Sequence, residues 1–221
     1  MLIAILKNTI TFCLLFFTLA VQTQTYFGLR GGVNIAYVSH SKDGGGGVTN
    51  RKITGAVSGV YFDFGVKNNM AIRTELNFIQ KGFIREIPLG DRIYRLNYFD
   101  LATLFKYRFV NITTNPKSKK QLHAYILTGP FVGYSGSGKI ISKDDGEKWP
   151  YDFGGGVSLS HADAGMVFAG GIEIPLGRGH LVTDIRYNLG LLPLTNSQSP
   201  NGVIKHHGII GSAGYVLRLG R

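Results

Sequence analysis

The sequence predicts an all-β protein, an eight-stranded antiparallel up-and-down transmembrane β-barrel, and three observations predict it. Eight stretches alternate apolar with polar or glycine residues, the period-2 pattern of strands with one apolar face. The connectors between them alternate between shorter and longer, as in barrels with short turns on one side of a membrane and long loops on the other. The N-terminus reads as an export signal, and no later run reaches the roughly 20 apolar residues that a spanning helix needs.

The signal comes first. Lys7 precedes an apolar run from Ile10 to Val21, with small or polar residues after it and a cut expected near Thr23. The chain thus divides into a signal peptide, 1–23, and a barrel domain, 24–221. The single cysteine, Cys13, leaves with the signal. A mature chain without thiols excludes disulfide scaffolds, cysteine-ligated zinc and thiol catalysis.

Strand one is predicted from Thr25 to Val38, with Phe27, Leu29, Val33, Ile35 and Tyr37 outward and Arg30 and Asn34 inward. Phe27 and Tyr37 are ten residues apart, roughly 25 Å along the membrane normal at ordinary strand rise and tilt. That is the height of the apolar band, so they are expected in the two aromatic girdles. The glycine-rich Ser39 to Lys52 is a loop. Ile53 to Phe64 is strand two, with blurred alternation, and Gly65 to Met70 turns the chain. In strand three, Ala71 to Gly82, Ile72, Thr74, Leu76 and Phe78 take one face and Arg73, Glu75, Asn77 and Lys81 the other. Gly82 to Arg95 is a longer connection whose strands extend beyond the membrane.

Strand four, Leu96 to Phe109, turns Phe99, Leu101, Phe105 and Tyr107 outward, with Asp100, Lys106 and Arg108 opposite. Asn111 to Gln121, with Pro116 and three lysines, is read as a connector longer than its side warrants. Strand five is Leu122 to Tyr134. The longest connector, Ser135 to Ser160, holds Trp149. Ala162 to Ile174 is strand six, Pro175 to Gly179 a tight turn, and His180 to Leu191 strand seven, where Leu181, Ile185, Tyr187 and Leu189 oppose Asp184, Arg186 and Asn188. Leu192 to Ile204 loops into the last strand, Lys205 to Leu219, whose Tyr215 and Leu217 face outward.

Alternation does not say which face is inside, since a lipocalin-like barrel is also eight-stranded and exported, but with apolar residues within. Energetics favours lipid outside. Arg30, Arg73, Glu75, Lys81, Asp100, Lys106, Arg108, Asp163, Glu173, Asp184, Arg186 and Arg218 share the polar face. Both signs are interspersed, so they can pair across a narrow lumen. An arginine or lysine facing lipid at mid-bilayer costs about 2–4 kcal/mol, so a one-residue slip is heavily penalised. An eight-stranded barrel is just wide enough for its own side chains, which disfavours a diffusive pore. The charged interior reads first as a structural core of paired ions and second as a narrow proton or ion path.

The formal charge is +11, but the basic residues are dispersed among strand faces, Lys117 to Lys120, and loops carrying Lys42, Arg51, Lys52, Arg85, Arg92, Arg95, Lys139, Lys143 and Lys148. No nucleic-acid partner is expected. Positive loops instead suit the anionic sugar-lipid of an outer leaflet.

Three patterns look like chemistry. Gly133 to Lys139 spells G-x-x-x-x-G-K, but Ile140 stands where a magnesium-binding Ser or Thr is required and no helix start follows. His206 and His207 are strand neighbours pointing to opposite faces and cannot share an ion, though one could pair with His161 across the rim. Ser160, His161 and Asp163 are the residue types of a hydrolase triad without a nucleophile elbow. No catalytic, cofactor or metal residue is therefore assigned, and no enzyme activity is expected.

Tyr26 to Asn34, Glu75-Leu76 through Gln80-Lys81-Gly82, Leu96 to Leu101, Gly129-Pro130-Phe131, Gly170 to Glu173 and Arg186 to Leu191 occur in an order that resembles the PorT-like family of small outer-membrane β-barrel proteins of Bacteroidota. Ala102 stands where that family carries proline, and the sequence closes on Leu219-Gly220-Arg221 instead of an aromatic. The resemblance implies an integral outer-membrane location and little about activity. The expectation is a monomeric outer-membrane barrel with a structural or interaction role, assisting protein secretion or envelope assembly through partners in the envelope or the secretion apparatus. The alternative is a carrier of small apolar ligands.

Overall fold

The computed structural model describes residues 24–40, 50–67, 69–86, 90–115, 120–151, 159–194 and 204–219. The signal segment with Cys13, the loop glycines 44–47 and 154–156, and Asn201-Gly202 lie outside them. Ten strands are present: β1 (Thr25–His40), β2 (Asn50–Arg51), β3 (Ile53–Lys67), β4 (Met70–Arg85), β5 (Arg92–Asn115), β6 (Lys120–Ser142), β7 (Lys148–Pro150), β8 (Ala162–Leu176), β9 (Gly179–Gly190) and β10 (Ile204–Leu219). Each of the eight long strands pairs antiparallel with its sequence neighbours, and β1 pairs with β10 over its whole length. The sheet therefore closes on itself as an eight-stranded barrel, and no long strand presents a bare edge.

The chain alternates as the sequence pattern requires. Along β4 the odd positions Arg73, Glu75, Asn77, Ile79 and Lys81 are buried, while Leu76 is 51 % exposed. Ile185, the most exposed large apolar side chain at 69 %, sits mid-strand between buried Asp184 and Arg186. A polar interior under an apolar exterior inverts a water-soluble barrel and matches a strand wall meeting hydrocarbon.

Three strand limits differ from those expected. Asn111 to Gln121 is not a long connector: β5 runs to Asn115 and β6 starts at Lys120, with register shifts between Arg108 and Val110 and between Thr113 and Asn115. The connector is thus the four residues 116–119, against two at 68–69 and at 177–178, and every long connector lies at the opposite end. At that far end the strands extend into Gly82 to Arg95 as expected, whereas Ser135 to Ser142, expected as connector, continues β6 to pair with Arg92–Tyr98. Apolar alternation marks only the part of a strand that meets lipid, whereas the hydrogen-bonded ladder continues through polar residues beyond it. The result is an extension of five strands in the order β2-β4-β5-β6-β7 standing past the barrel wall.

Among the described residues three apolar clusters fill what the charges leave, the smallest being Val57, Ile79 and Ile210. Tyr61, Leu104, Tyr125, Leu127, Phe131, Val167, Val182 and Val216, with Ala102, line the lumen. Phe83, Tyr94, Leu96, Tyr98, Tyr151, Leu159, Leu194 and Ile204 gather at the long-connector end. There Leu159 N donates to Tyr151 Oη at 2.9 Å, and Leu194 N to Ile204 O at 2.7 Å, tying connector segments over the mouth.

Candidate functional site

The lumen holds two ion-pair groups that together have one guanidinium or ammonium for every carboxylate. Beginning near the short-turn end, Arg108 Nε lies 3.0 Å from Glu173 Oε2, and the same carboxylate accepts from Lys106. Lys106 Nζ reaches Asp63 Oδ2 at 2.7 Å, and Arg73 grips Asp63 with Nε at 2.5 Å and Nη2 at 2.8 Å. Arg73 Nη1 and Glu75 Oε1 are 3.7 Å apart, Arg186 Nη1 donates to Glu75 Oε2 at 2.7 Å, and Arg186 holds Asp184 at 2.8 Å through both Nε and Nη2. Arg30 completes this group, donating from Nε to Asn77 Oδ1 at 2.9 Å. Above it, Lys81 Nζ is 2.8 Å from both Asp100 Oδ2 and Asp163 Oδ2.

Arg30, Arg73, Lys81, Lys106, Arg108 and Arg186 thus face Asp63, Glu75, Asp100, Asp163, Glu173 and Asp184, six of each sign. Balance is what allows burial, since an unpaired buried charge costs several kcal/mol or more. Aromatic faces add to it: Arg73 lies 4.0 Å from the Tyr61 ring centroid, Lys106 4.8 Å from Tyr125, and Lys81 4.6 Å from Tyr98.

Eleven of the twelve residues expected in the luminal network are there. Arg218 is not: it follows the inward alternation but is exposed at the last turn of β10, past the end of the lumen, and makes no ion pair among the described residues. Asp63 and the three tyrosines are members that the alternation did not single out, whereas Asn77 is buried on the polar face assigned to it. A bulge between Gly65 and Lys67 sets Asp63 directly opposite Arg73, a register that counting back from the turn misses by one residue.

Leu76, Leu101, Phe105, Ile185 and Leu217 are exposed, and Phe27, Tyr37, Phe78, Tyr107, Tyr187 and Tyr215 are half-buried among side chains of the same face. Phe27 packs on Phe62 at 5.1 Å, Phe78 on Phe99 at 5.6 Å, and Tyr37 stacks on His207 at 5.5 Å.

The chemistry-like patterns resolve geometrically. Gly133 to Lys139 is extended strand within β6, so its amides do not converge on an anion. His206 is buried with Nδ1 3.7 Å from Asp163, while His207 faces outward against Tyr37 and Tyr187. His161 stacks on Tyr134 outside the barrel, 5.3 Å away, with Nδ1 2.8 Å from Ser135 O. Ser160 Oγ accepts from Ala162 N, and Asp163 is held by Lys81 inside, so this trio forms no relay. Among the described residues no three His, Cys, Asp or Glu side chains cluster to hold a metal.

On the outer face of the five-stranded extension, residues stack in rows away from the barrel. Phe78, Phe99 and Tyr134 form the first, and Gln80, Asn97 and Ser137 the second, joined by hydrogen bonds of 3.3 and 3.0 Å. Gly82, Arg95 and Lys139 form the third, and Ile84, Ile93 and Ile141 the fourth. At the tip Arg51 meets Glu86 at 2.6 Å and Asp91 at 3.3 Å, and Lys143 meets Asp91 at 3.1 Å.

Residues 22–196 match the family described as outer membrane protein beta-barrel domain. No curated protein sequence matches the chain. Among solved structures it is similar to the outer membrane protein OprG from Pseudomonas aeruginosa, with 11% identity, 89% of this chain and 98% of that one covered, and a TM-score of 0.52. It is also similar to Neisserial surface protein A, with 13% identity, 87% and 97% coverage and a TM-score of 0.48. For Ail, the attachment invasion locus protein of Yersinia pestis, the values are 13%, 88% and 99%, and 0.47. At such identities the likeness is one of fold.

Proposed function

Because this chain belongs to the outer membrane protein beta-barrel domain family and is an outer-membrane β-barrel protein, we propose that it is a non-conducting barrel with a structural or interaction role. On this reading residues 1–23 are its export signal, the long connectors point away from the cell, and the five-stranded extension is its working surface. The single observation that carries it is the filled lumen. Six cations and six carboxylates occupy the cross-section, and the apolar cluster around Tyr94, Tyr98, Tyr151 and Leu159 stands over the long-connector mouth. A solute path would have to break ion pairs that have no solvent to replace them.

What the protein does then rests on what its external face touches. The ordered likeness of its strands to PorT-like proteins supports a role beside secretion or envelope-assembly proteins. The charged outer rim supports contact with anionic sugar-lipid. Reconstitution into planar bilayers and into liposomes tests the sealed lumen: no stepwise conductance and no uptake of a small apolar dye are expected. Dye entry would favour the carrier reading, and steady ion conductance would overturn the sealed one. Site-specific cross-linking from Ile93 and Ile141 in intact cells tests the surface, with capture of an envelope or secretion protein expected. If deleting the extension leaves that capture intact, the surface is wrongly assigned.

A further inference from the structure

Arg95 and Lys139 are directly opposite each other on neighbouring antiparallel strands, β5 and β6. Like charges so placed destabilise a sheet. Neither residue makes an ion pair with a carboxylate among the described residues, and Arg95 Nε is buried without a hydrogen-bond partner. Glu86 and Asp91 of the same extension are engaged elsewhere, both by Arg51 and Asp91 also by Lys143. The third member of the row, Gly82, has no side chain, and its backbone is at φ +151, where an added Cβ would strike Tyr94 O at 1.9 Å. Arg95 therefore has a residue without a side chain on one side and a second cation on the other.

The rows beneath say where this pair sits. Phe78, Phe99 and Tyr134 form an aromatic row on the lipid-facing wall, and Gln80, Asn97 and Ser137 a neutral polar row above it. Arg95 is four residues beyond Phe99, roughly 10 Å further along the membrane normal. Arginine and lysine bend their heads back along such a wall, which brings both charges into the headgroup layer. The other opposed like-charged pair, Arg85 and Arg92, falls on the alternate face of the same strands, away from the lipid.

We propose that Arg95 and Lys139 form a binding site for the phosphate of an outer-leaflet sugar-lipid, with Arg95 donating through its guanidinium fork and Lys139 as a point charge. This rests on the outward orientation of the long connectors proposed above. A lipid is the occupant because the aromatic row, two rows below on the same face and past the neutral polar row, offers its acyl chains an apolar wall within reach of the charged row. The bound anion offsets the repulsion that the register imposes.

The test uses the folded full-length barrel in mixed micelles, titrated with diphosphorylated lipid A, with the same lipid stripped of phosphate, and with inorganic phosphate as competitor. The wild type is expected to prefer the phosphorylated lipid, and R95Q/K139Q to lose at least tenfold in affinity while keeping the gel mobility of a folded barrel. R95K/K139R, which keeps both charges, retains most of the binding and covers the case in which the neutral variant fails to fold. R218Q, which removes one charge at the opposite mouth, stays within twofold of wild type. Equal binding of stripped lipid, an equal loss in R218Q, or displacement by millimolar inorganic phosphate would each overturn the site. Conductance of the same preparations reports on the sealed lumen separately, so the two readings fail independently.

Discussion

Replacing Asp63 with asparagine isolates the charge balance on which the lumen depends. The carboxylate accepts two bonds from Arg73, at 2.5 and 2.8 Å, and one from Lys106 at 2.7 Å, and both cations are fully buried. Asparagine keeps the shape but presents an NH2 group to donors on one side, and it leaves six cations facing five carboxylates. Removing one partner of a buried pair costs about 3–5 kcal/mol, because the remaining charge is left uncompensated. At about 1.4 kcal/mol per tenfold change, D63N should raise the unfolding constant by roughly two to nearly four powers of ten. The assay is urea titration of the barrel in detergent, followed by far-UV circular dichroism and by gel mobility of unheated samples. D63N/K106M restores equal numbers of each sign and should recover more than half of the loss. A D63N cost below about 1 kcal/mol, or no recovery in the double variant, would refute the argument that balance holds the interior together.

Three further outcomes are expected. I185R places a cation on the most exposed lipid-facing position, mid-strand in β9, and should cost about 2–4 kcal/mol in vesicles; equal stability would mean that this face does not meet hydrocarbon. G28A puts a Cβ 2.2 Å from Tyr61 Cζ, beneath the ring that covers Arg73, for a loss of about 1–3 kcal/mol, whereas an added Cβ at Gly211 meets nothing within 4 Å and G211A should stay within about 0.5 kcal/mol. Equal effects at the two positions would contradict the assigned faces. At the exposed tip, the hydrogen bond from Lys143, aided by Arg51, holds the Asp91 carboxyl below its ordinary value. Its contribution is complete above the ordinary aspartate value of about 3.9 and is lost as pH falls through the lowered one. Amide protection of Lys143, whose N–H bonds Asp91 O at 3.0 Å, should drop on acidification below that range, and flat or rising protection would count against the pairing.

The lipid-facing strand segments were legible because hydrocarbon selects every second residue. Thr25 to Val38 and Ala71 to Gly82 fall inside β1 and β4 with the expected faces. Outside that band the signal vanishes. The end of β5 and the region Ser135 to Ser142 of β6 are paired through backbone hydrogen bonds that any non-proline residue can make. Composition could not distinguish them from loop. β3 was blurred for another reason: its outward face carries Thr54, Ala56 and Ser58, too small and polar to contrast with the inward residues. Asp63 escaped notice with it. Arg218 erred the opposite way, because alternation tells which side a residue faces but not whether the lumen extends that far.

From the sequence alone came the closed all-β architecture, the two faces and the mixed-sign interior, since each follows from a local period of two and from the cost of leaving charge in hydrocarbon. Which cation meets which carboxylate, how Tyr61, Tyr98 and Tyr125 cover them, and that Arg95 stands against Lys139 were decided only by the closed barrel. Those contacts join residues distant in sequence, 111 positions apart in the case of Arg186 and Glu75. Their geometry is set by strand register and by the bulges that shift it, and these exist only once the sheet has curled round to pair its first strand with its last.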